Sequence, residues 1–201
     1  MNFYEVYPLV SGDEGGYANK PDDNGGETYA GIARNYRHNA DWPGWTELDA
    51  IKKRNGPLPN NFRSPILDDM ARDWFKKKYW DEVQMDSFPA HLRYCIFDVI
   101  VNFGFDVDTL ASRAWAFIRA ANGVDIYLPS GKLDPVTTVF EASLFWTAEK
   151  ITPEAYTIAR KENYKKIVQS SPAQMGFLHG WLTRADNVLD LTNIWLLNNT
   201  A

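Results

Sequence analysis

A glycine-rich stretch near the N-terminus constrains the fold of this chain more than any other feature. It reads SGDEGGYANKPDDNGGETYAGI and runs from Ser11 to Ile32. Six glycines, a proline and neighbouring Asp and Asn residues favour turns over a continuous helix. We therefore expect a short β-hairpin near residues 17–33, where alternation replaces the helical period. The apolar residues before it, from about Phe3 to Glu14, have the spacing of a helix.

Elsewhere the apolar pattern indicates helices, so the predicted fold class is mainly α. Ser64–Pro65 and Thr152–Pro153 each combine an N-cap residue with a proline at the first helical position. The other predicted elements are a helix from Ser87 to Gly104, a loop over 122–135 and a last amphipathic helix that ends near Leu197.

Composition and charge exclude several classes of function. The net charge is −5, whereas nucleic-acid binders usually carry a basic face, so no nucleic-acid partner is expected. Cys95 is the only cysteine and lies in an apolar helical pattern, which favours a core residue over a nucleophile. The histidines lie far apart and no His-Glu-x-x-His motif occurs. A calcium loop is excluded because Gly31 stands where a glutamate ligand is required, so we predict no metal and no cofactor.

Glu14 is the carboxylate with the clearest chemical argument. We expect it at the C-terminal end of the first helix, with Gly15 or Gly16 as the left-handed residue that caps the helix. An acid at the negative end of a helix is unfavourable by roughly 0.3–1 kcal/mol, and partial burial would further raise its pKa. A carboxylic acid that stays protonated near neutral pH can act as a general acid. The alternative is a solvated surface glutamate.

Asp22, Asp23 and Thr28 follow on the turn-forming stretch. A glutamate that faces an aspartate and a threonine across a cleft is a layout suited to glycosidic bond cleavage. Either aspartate could assist Glu14, and the separation of the two carboxylates would decide between inversion and retention.

The same stretch resembles the signature of glycoside hydrolase family 108, lysozyme-like N-acetylmuramidases of phages and bacteria, some of them called secretion activator proteins. The family pattern is roughly Glu-Gly-Gly-Tyr, Asn, Asp-x-Gly-Gly-x-Thr and Gly-Ile or Gly-Val. The matching positions are Glu14, Gly15, Gly16, Tyr17, Asn19, Asp23, Gly25, Gly26, Thr28, Gly31 and Ile32. The Glu-x8-Asp-x5-Thr pattern of phage lysozymes is similar, but only four residues separate Asp23 from Thr28 here. That difference bears on the role of Thr28 more than on that of Glu14.

The resemblance continues through KKKYWD and FDVIVNFG, and RKENYKKIVQSSPAQMGFLHGWLTR resembles the family's C-terminal peptidoglycan-binding-type region. It implies a lysozyme-like catalytic region over residues 1–104 and a helical binding region over 105–201, packed on the first. The implied function is a peptidoglycan-cleaving hydrolase, used as an endolysin in phage or prophage lysis, in wall remodelling or in protein secretion. A non-catalytic wall-binding or secretion-assisting protein that retains the fold is the alternative.

The resemblance also implies roles for particular residues. Glu14 would be the catalytic general acid, and Asp23 and Thr28 would place or activate water. The residues implied to bind substrate are Tyr17, Asn19, Tyr79, Trp80 and Asn102. For the last three the alternative is a packing role.

The expected location follows from the absence of targeting features. The N-terminus has no basic region followed by an apolar segment, so we expect synthesis in the cytoplasm without a signal peptide. The most apolar run, YCIFDVIVNFGF, is short and interrupted by Asp98, so no membrane span is predicted. The protein would then act on the wall after release by a holin or by secretion machinery.

Overall fold

The computed structural model describes residues 1–12, 15–19, 25–103 and 148–199. Helices account for 68% of the described residues, beside a small three-stranded antiparallel sheet, which confirms the predicted mainly α class. The described residues form two compact units. Phe3–Lys78 make up the N-terminal unit, and Met1–Asn2 with the described residues from Tyr79 onward make up the helical unit.

The first helix, α1, spans Phe3–Ser11 and continues through Pro8. Its apolar stripe is buried as predicted and consists of Phe3, Val6 and Val10. The helix ends at Ser11 rather than at Glu14, and the N–H of Gly12 donates to the carbonyl of Pro8 at 3.0 Å.

The predicted left-handed cap at Gly15 or Gly16 is wrong. Neither has a positive φ, unlike Gly26, Gly31 and Gly56. Gly16 is needed for a different reason, because a Cβ atom there would lie 2.2 Å from the carbonyl oxygen of Phe62. That carbonyl accepts the N–H of Tyr17 at 2.8 Å, and the carbonyl of Tyr17 accepts the N–H of Asn61 at 2.7 Å. A side chain at position 16 would separate these two backbone segments.

We expect Gly16→Ala to destabilise the N-terminal unit by about 1–3 kcal/mol, the usual cost of overpacking. Gly180→Ala is the matched control, because a Cβ atom at this helical position meets nothing within 4 Å. The control should be about as stable as the parent or up to about 1 kcal/mol more stable, since alanine favours a helix over glycine. Urea unfolding of both variants tests this, and equal stabilities would contradict the packing argument.

The glycine-rich stretch forms the sheet, whose strands are β1 (Tyr17–Asn19), β2 (Glu27–Tyr29) and β3 (Ile32–Ala33), in that order. The predicted β-hairpin is thus present, and β3 extends it. Ala30 (φ 47°) and Gly31 (φ 78°) connect β2 to β3. Two successive positive φ angles characterise the two-residue turn that matches the twist of paired strands.

Two helices complete the N-terminal unit, α2 (Gly44–Asn55), which was not predicted, and α3 (Pro65–Phe75). Helix α3 begins at Pro65, as predicted, and a π-helical turn, Lys76–Asp81, follows it. The hydroxyl of Tyr29 accepts the N–H of Ser64 at 2.9 Å and donates to Asp68 at 2.7 Å. Burial, together with the hydrogen bond to Asp68, raises the pKa of Tyr29 to about 12. This neutral phenol ties the sheet to the start of α3.

The described helices of the helical unit are α4 (Arg93–Phe103), α5 (Pro153–Ser170) and α6 (Met175–Asn199). Helix α5 has the predicted cap, because the hydroxyl of Thr152 accepts the N–H of Ala155 at 3.2 Å. Helix α4 begins at Arg93 rather than at Ser87, since a 3₁₀ turn, Met85–Ser87, precedes it.

A buried ion cluster connects the three described helices of the helical unit. Asp98 of α4 accepts a hydrogen bond of 2.6 Å from Arg160 of α5 and one of 2.8 Å from Arg184 of α6. Asp98 and Arg160 are each only 1% exposed. Helix α4 therefore packs with the helices of the C-terminal half. The predicted boundary at residue 104 and the predicted loop over 122–135 lie outside the described residues.

Two further features bear on excluded functions. Cys95 is buried, and desolvation raises the pKa of its thiol to about 11, which suits a core residue rather than a nucleophile. Among the helices that the structure describes, none combines the length and apolar character needed to cross a membrane.

Candidate active site

The sheet separates the predicted site residues onto two faces. Ala18 of β1 lies directly opposite Thr28 of β2, whereas Tyr17 pairs with Tyr29 and Asn19 with Glu27. Because successive side chains of a strand point to opposite faces, Ala18 and Thr28 share one face. Both are partly exposed, and the Thr28 hydroxyl makes one long hydrogen bond, 3.4 Å, to the carbonyl of Gly26.

The opposite face carries Glu27, which sequence reasoning did not identify. Its carboxylate accepts hydrogen bonds from the Tyr17 hydroxyl at 2.8 Å, from Lys52 at 2.6 Å and from Arg34 at 2.7 Å. Arg34 also makes two hydrogen bonds to Asp49, and Lys52 lies 3.0 Å from the same carboxylate. Two cations and two anions therefore join the sheet to α2.

The network keeps Glu27 ionised. Burial acts to raise the pKa of Glu27, but hydrogen bonds from Lys52, Tyr17 and Arg34 outweigh it, so the pKa lies below its ordinary value. Burial and the hydrogen bond to Glu27 raise the pKa of Tyr17, whose phenol stays a neutral donor. Hydrogen bonds from Arg34 hold the pKa of Asp49 well below its ordinary value.

A lowered pKa in the folded state means that Glu27 stabilises the fold above its unfolded pKa of about 4.3. The contribution is lost as the pH falls through the folded value. Glu27→Gln should therefore lower the free energy of unfolding at pH 7 by roughly 1–2 kcal/mol, and the deficit should shrink towards pH 3. Glu47→Gln is the control, because Glu47 has one longer contact, 3.3 Å, with an exposed Arg54. Urea unfolding at pH 7, 5 and 3 tests this, and a deficit independent of pH would contradict it.

Tyr17, Asn19 and Glu27 line an open cleft of about 460 Å³. Lys52 and the loop that follows α2, from Gly56 to Asn60, complete its lining. The structure thus brings together two residues predicted to bind substrate, Tyr17 and Asn19. It places Thr28 on the other side of the sheet. Tyr17 itself is buried, and its hydroxyl is engaged by Glu27.

The remaining predicted site residues lie elsewhere. Glu14 and Asp23 fall outside the described residues. Tyr79 and Trp80 are buried in the helical unit, where the ring of Trp80 packs 5.6 Å from that of Phe97, an environment that fits the packing alternative. Asn102 is exposed near the end of α4, and its side-chain amide donates to the carbonyl of Asp98 at 2.6 Å.

A metal centre would need several His, Cys, Asp or Glu side chains close together in the part of the chain that the structure describes. Within it, no group of three or more His, Cys, Asp or Glu side chains is arranged to hold a metal ion. The acidic side chains at the cleft have hydrogen-bonded cations as partners instead.

Comparisons with known proteins agree with this description. The solved structure of Brucella abortus SagA superposes with a TM-score of 0.59 over 96% of this chain and 94% of that chain. The sequence identity is 22%, so the likeness concerns the fold alone. A comparison with curated proteins gives no significant match.

A mainly α fold with a small antiparallel sheet is consistent with the lysozyme-like class. Residues 7–104 match the family model of glycosyl hydrolase 108. This match covers just under half of the chain and supports a relationship to the glycosyl hydrolase 108 family. The match supports, in general terms, a glycosidase that acts on peptidoglycan.

Proposed function

We propose that this chain is an N-acetylmuramidase that hydrolyses the glycan strands of peptidoglycan. The observation that carries the proposal is the complete set of signature residues between Glu14 and Ile32. They lie inside the region that matches the family model. At every position where the family pattern has a carboxylate or a hydroxyl, this chain has the same residue. This favours an enzyme over a wall-binding protein that has lost its activity.

In this proposal Glu14 donates a proton to the glycosidic oxygen, and Asp23 and Thr28 hold the attacking water. A general acid of this kind needs a partner that acts on the opposite side of the sugar ring or covalently at its anomeric carbon. Ala18 and Thr28 share one face of the sheet and are both partly exposed, which supports an approach by substrate from that side. Glu27 holds the other face to α2 and keeps the strand in place.

The experiment is digestion of purified peptidoglycan, followed by borohydride reduction and mass spectrometry of the soluble fragments. Cleavage by a muramidase yields reduced muramic acid ends. Reduced glucosamine ends would mean that the enzyme cuts the alternate bond of the strand. Sedimentation of the protein with the walls, without soluble fragments, would support the non-catalytic alternative.

The two aspartates are expected to differ. Asp23→Asn should lower activity more than Asp22→Asn does, because the resemblance assigns Asp23 to the water, and neither should abolish sedimentation with walls. Initial rates of turbidity loss and a wall-binding assay measure the two effects. The reverse order of severity would assign the role to Asp22.

We further propose that this activity serves phage or prophage lysis, wall remodelling or secretion. A holin or secretion machinery would release the protein to the wall. Expression in a bacterial host with and without a co-expressed holin tests the release step. Lysis that needs the holin supports it, and equal lysis without the holin contradicts it.

A further inference from the structure

The helical unit contains a second recess, separate from the cleft beside Glu27. It has a volume of about 260 Å³ and is lined by residues of α4, α5 and α6 and of the short α5–α6 connection. Its aromatic lining comes from Tyr164 and Trp181, and its amide groups come from Asn102 and Gln174. A space of this size lies just below the range of drug-sized ligand pockets, so it suits a monosaccharide or a dipeptide.

Arg184 is the one charged side chain among the described residues that line this recess. Its Nε and Nη2 atoms contact the same oxygen of Asp98, both at 2.8 Å. Its side chain is 35% exposed, whereas that of Asp98 is 2% exposed. The guanidinium therefore reaches from the buried ion cluster to the wall of the recess.

Among the residues that the structure describes, this cluster has more positive than negative charges. One carboxylate, Asp98, contacts two guanidinium groups, those of Arg160 and Arg184. Arg160 is buried and already pairs with Asp98 at 2.6 Å, so the excess positive charge lies at Arg184, beside the recess. Charged and bidentate hydrogen bonds make arginine well suited to carboxylate ligands.

We propose that this recess is a binding site for the carboxylate of a small polar ligand, either an acidic amino sugar or the C-terminus of a short peptide. The carboxylate lies against Arg184, the amide groups of Asn102 and Gln174 bind neighbouring polar groups, and Trp181 contacts the apolar part. The site lies in a different unit from the proposed catalytic residues.

Four soluble probes distinguish the two sources of the carboxylate. N-Acetylmuramic acid is compared with N-acetylglucosamine, which lacks the lactyl carboxylate, and D-alanyl-D-alanine is compared with its C-terminal amide. None of the probes contains a glycosidic bond, so the result is independent of the proposed catalysis. Ligand-observed NMR titration of the full chain should show binding of at least one acid, with its neutral counterpart at least tenfold weaker.

Arg184→Gln is the decisive variant. It leaves Asp98 and Arg160 as a one-to-one buried pair, so the fold should persist while affinity for the acid falls at least tenfold. Lys161→Gln is the matched control, because it removes the same charge from an ion pair with the partly exposed Asp186 in the same unit. The proposal is overturned if acid and neutral probes bind equally, if no acid binds, or if the two folded variants lose affinity alike. A thermal melt of each variant confirms folding before the titration.

Discussion

Glu14→Gln is expected to lower the rate of wall lysis by about 10²–10⁴-fold while the protein stays folded. The amide keeps the size of the side chain but has no acidic proton to transfer to the leaving oxygen. General acid catalysis by a positioned side chain is typically worth that factor. The measurement is the initial rate of turbidity loss of purified cell walls at equal protein concentrations.

Glu149→Gln is the control for this comparison, because Glu149 is an exposed glutamate in the helical unit. It should lyse walls at the parent rate, and the thermal midpoints of all three proteins should agree within a few degrees. A Glu14 variant that lyses walls at nearly the parent rate would assign the general acid to another residue.

Asp98→Asn is expected to cause the largest loss of stability, about 3–5 kcal/mol. Asp98 is the carboxylate partner of two guanidinium groups, and one of them, Arg160, is 1% exposed. The amide would leave a buried guanidinium with no anionic partner, and this costs far more than the loss of an exposed ion pair.

Asp186→Asn is the matched control, because the same substitution there removes the partner of Lys161, and both side chains are partly exposed. Such pairs contribute about 0–1 kcal/mol. Urea unfolding at neutral pH measures both variants. A loss at Asp98 no larger than that at Asp186 would contradict the assignment of this cluster to the core of the helical unit.

The sequence predicted best those features that depend on neighbouring residues. The starts of α3 and α5 follow from a cap residue and a proline side by side, and the hairpin follows from glycines at its turns. The end of α1 and the role of Gly16 as a helix cap were predicted wrongly. Gly16 is needed because its backbone packs against that of Phe62, 46 positions further along the chain. A contact between distant segments leaves no local pattern.

The same distinction applies to the candidate site. The residues of the family signature all lie within the short segment 14–32, so a resemblance could identify them as a group. The partners of Glu27 come from α2 and from the chain after β3, and no spacing in the sequence indicates that Lys52 and Arg34 converge on one carboxylate. The placement of Tyr17 and Thr28 on opposite faces of the sheet likewise required the strand register.

The central claim is that the chain hydrolyses glycan strands at N-acetylmuramic acid, and digestion of peptidoglycan in H₂¹⁸O tests it most directly. Fragments are reduced at once with borohydride and analysed by mass spectrometry. As a control, fragments made in ordinary water are then held in H₂¹⁸O, which measures exchange of oxygen at the reducing ends after cleavage. We predict muramic acid ends that carry one ¹⁸O atom, since water is added across the cleaved bond. Anhydromuramic ends without the label, labelled glucosamine ends, or no released fragments would contradict it.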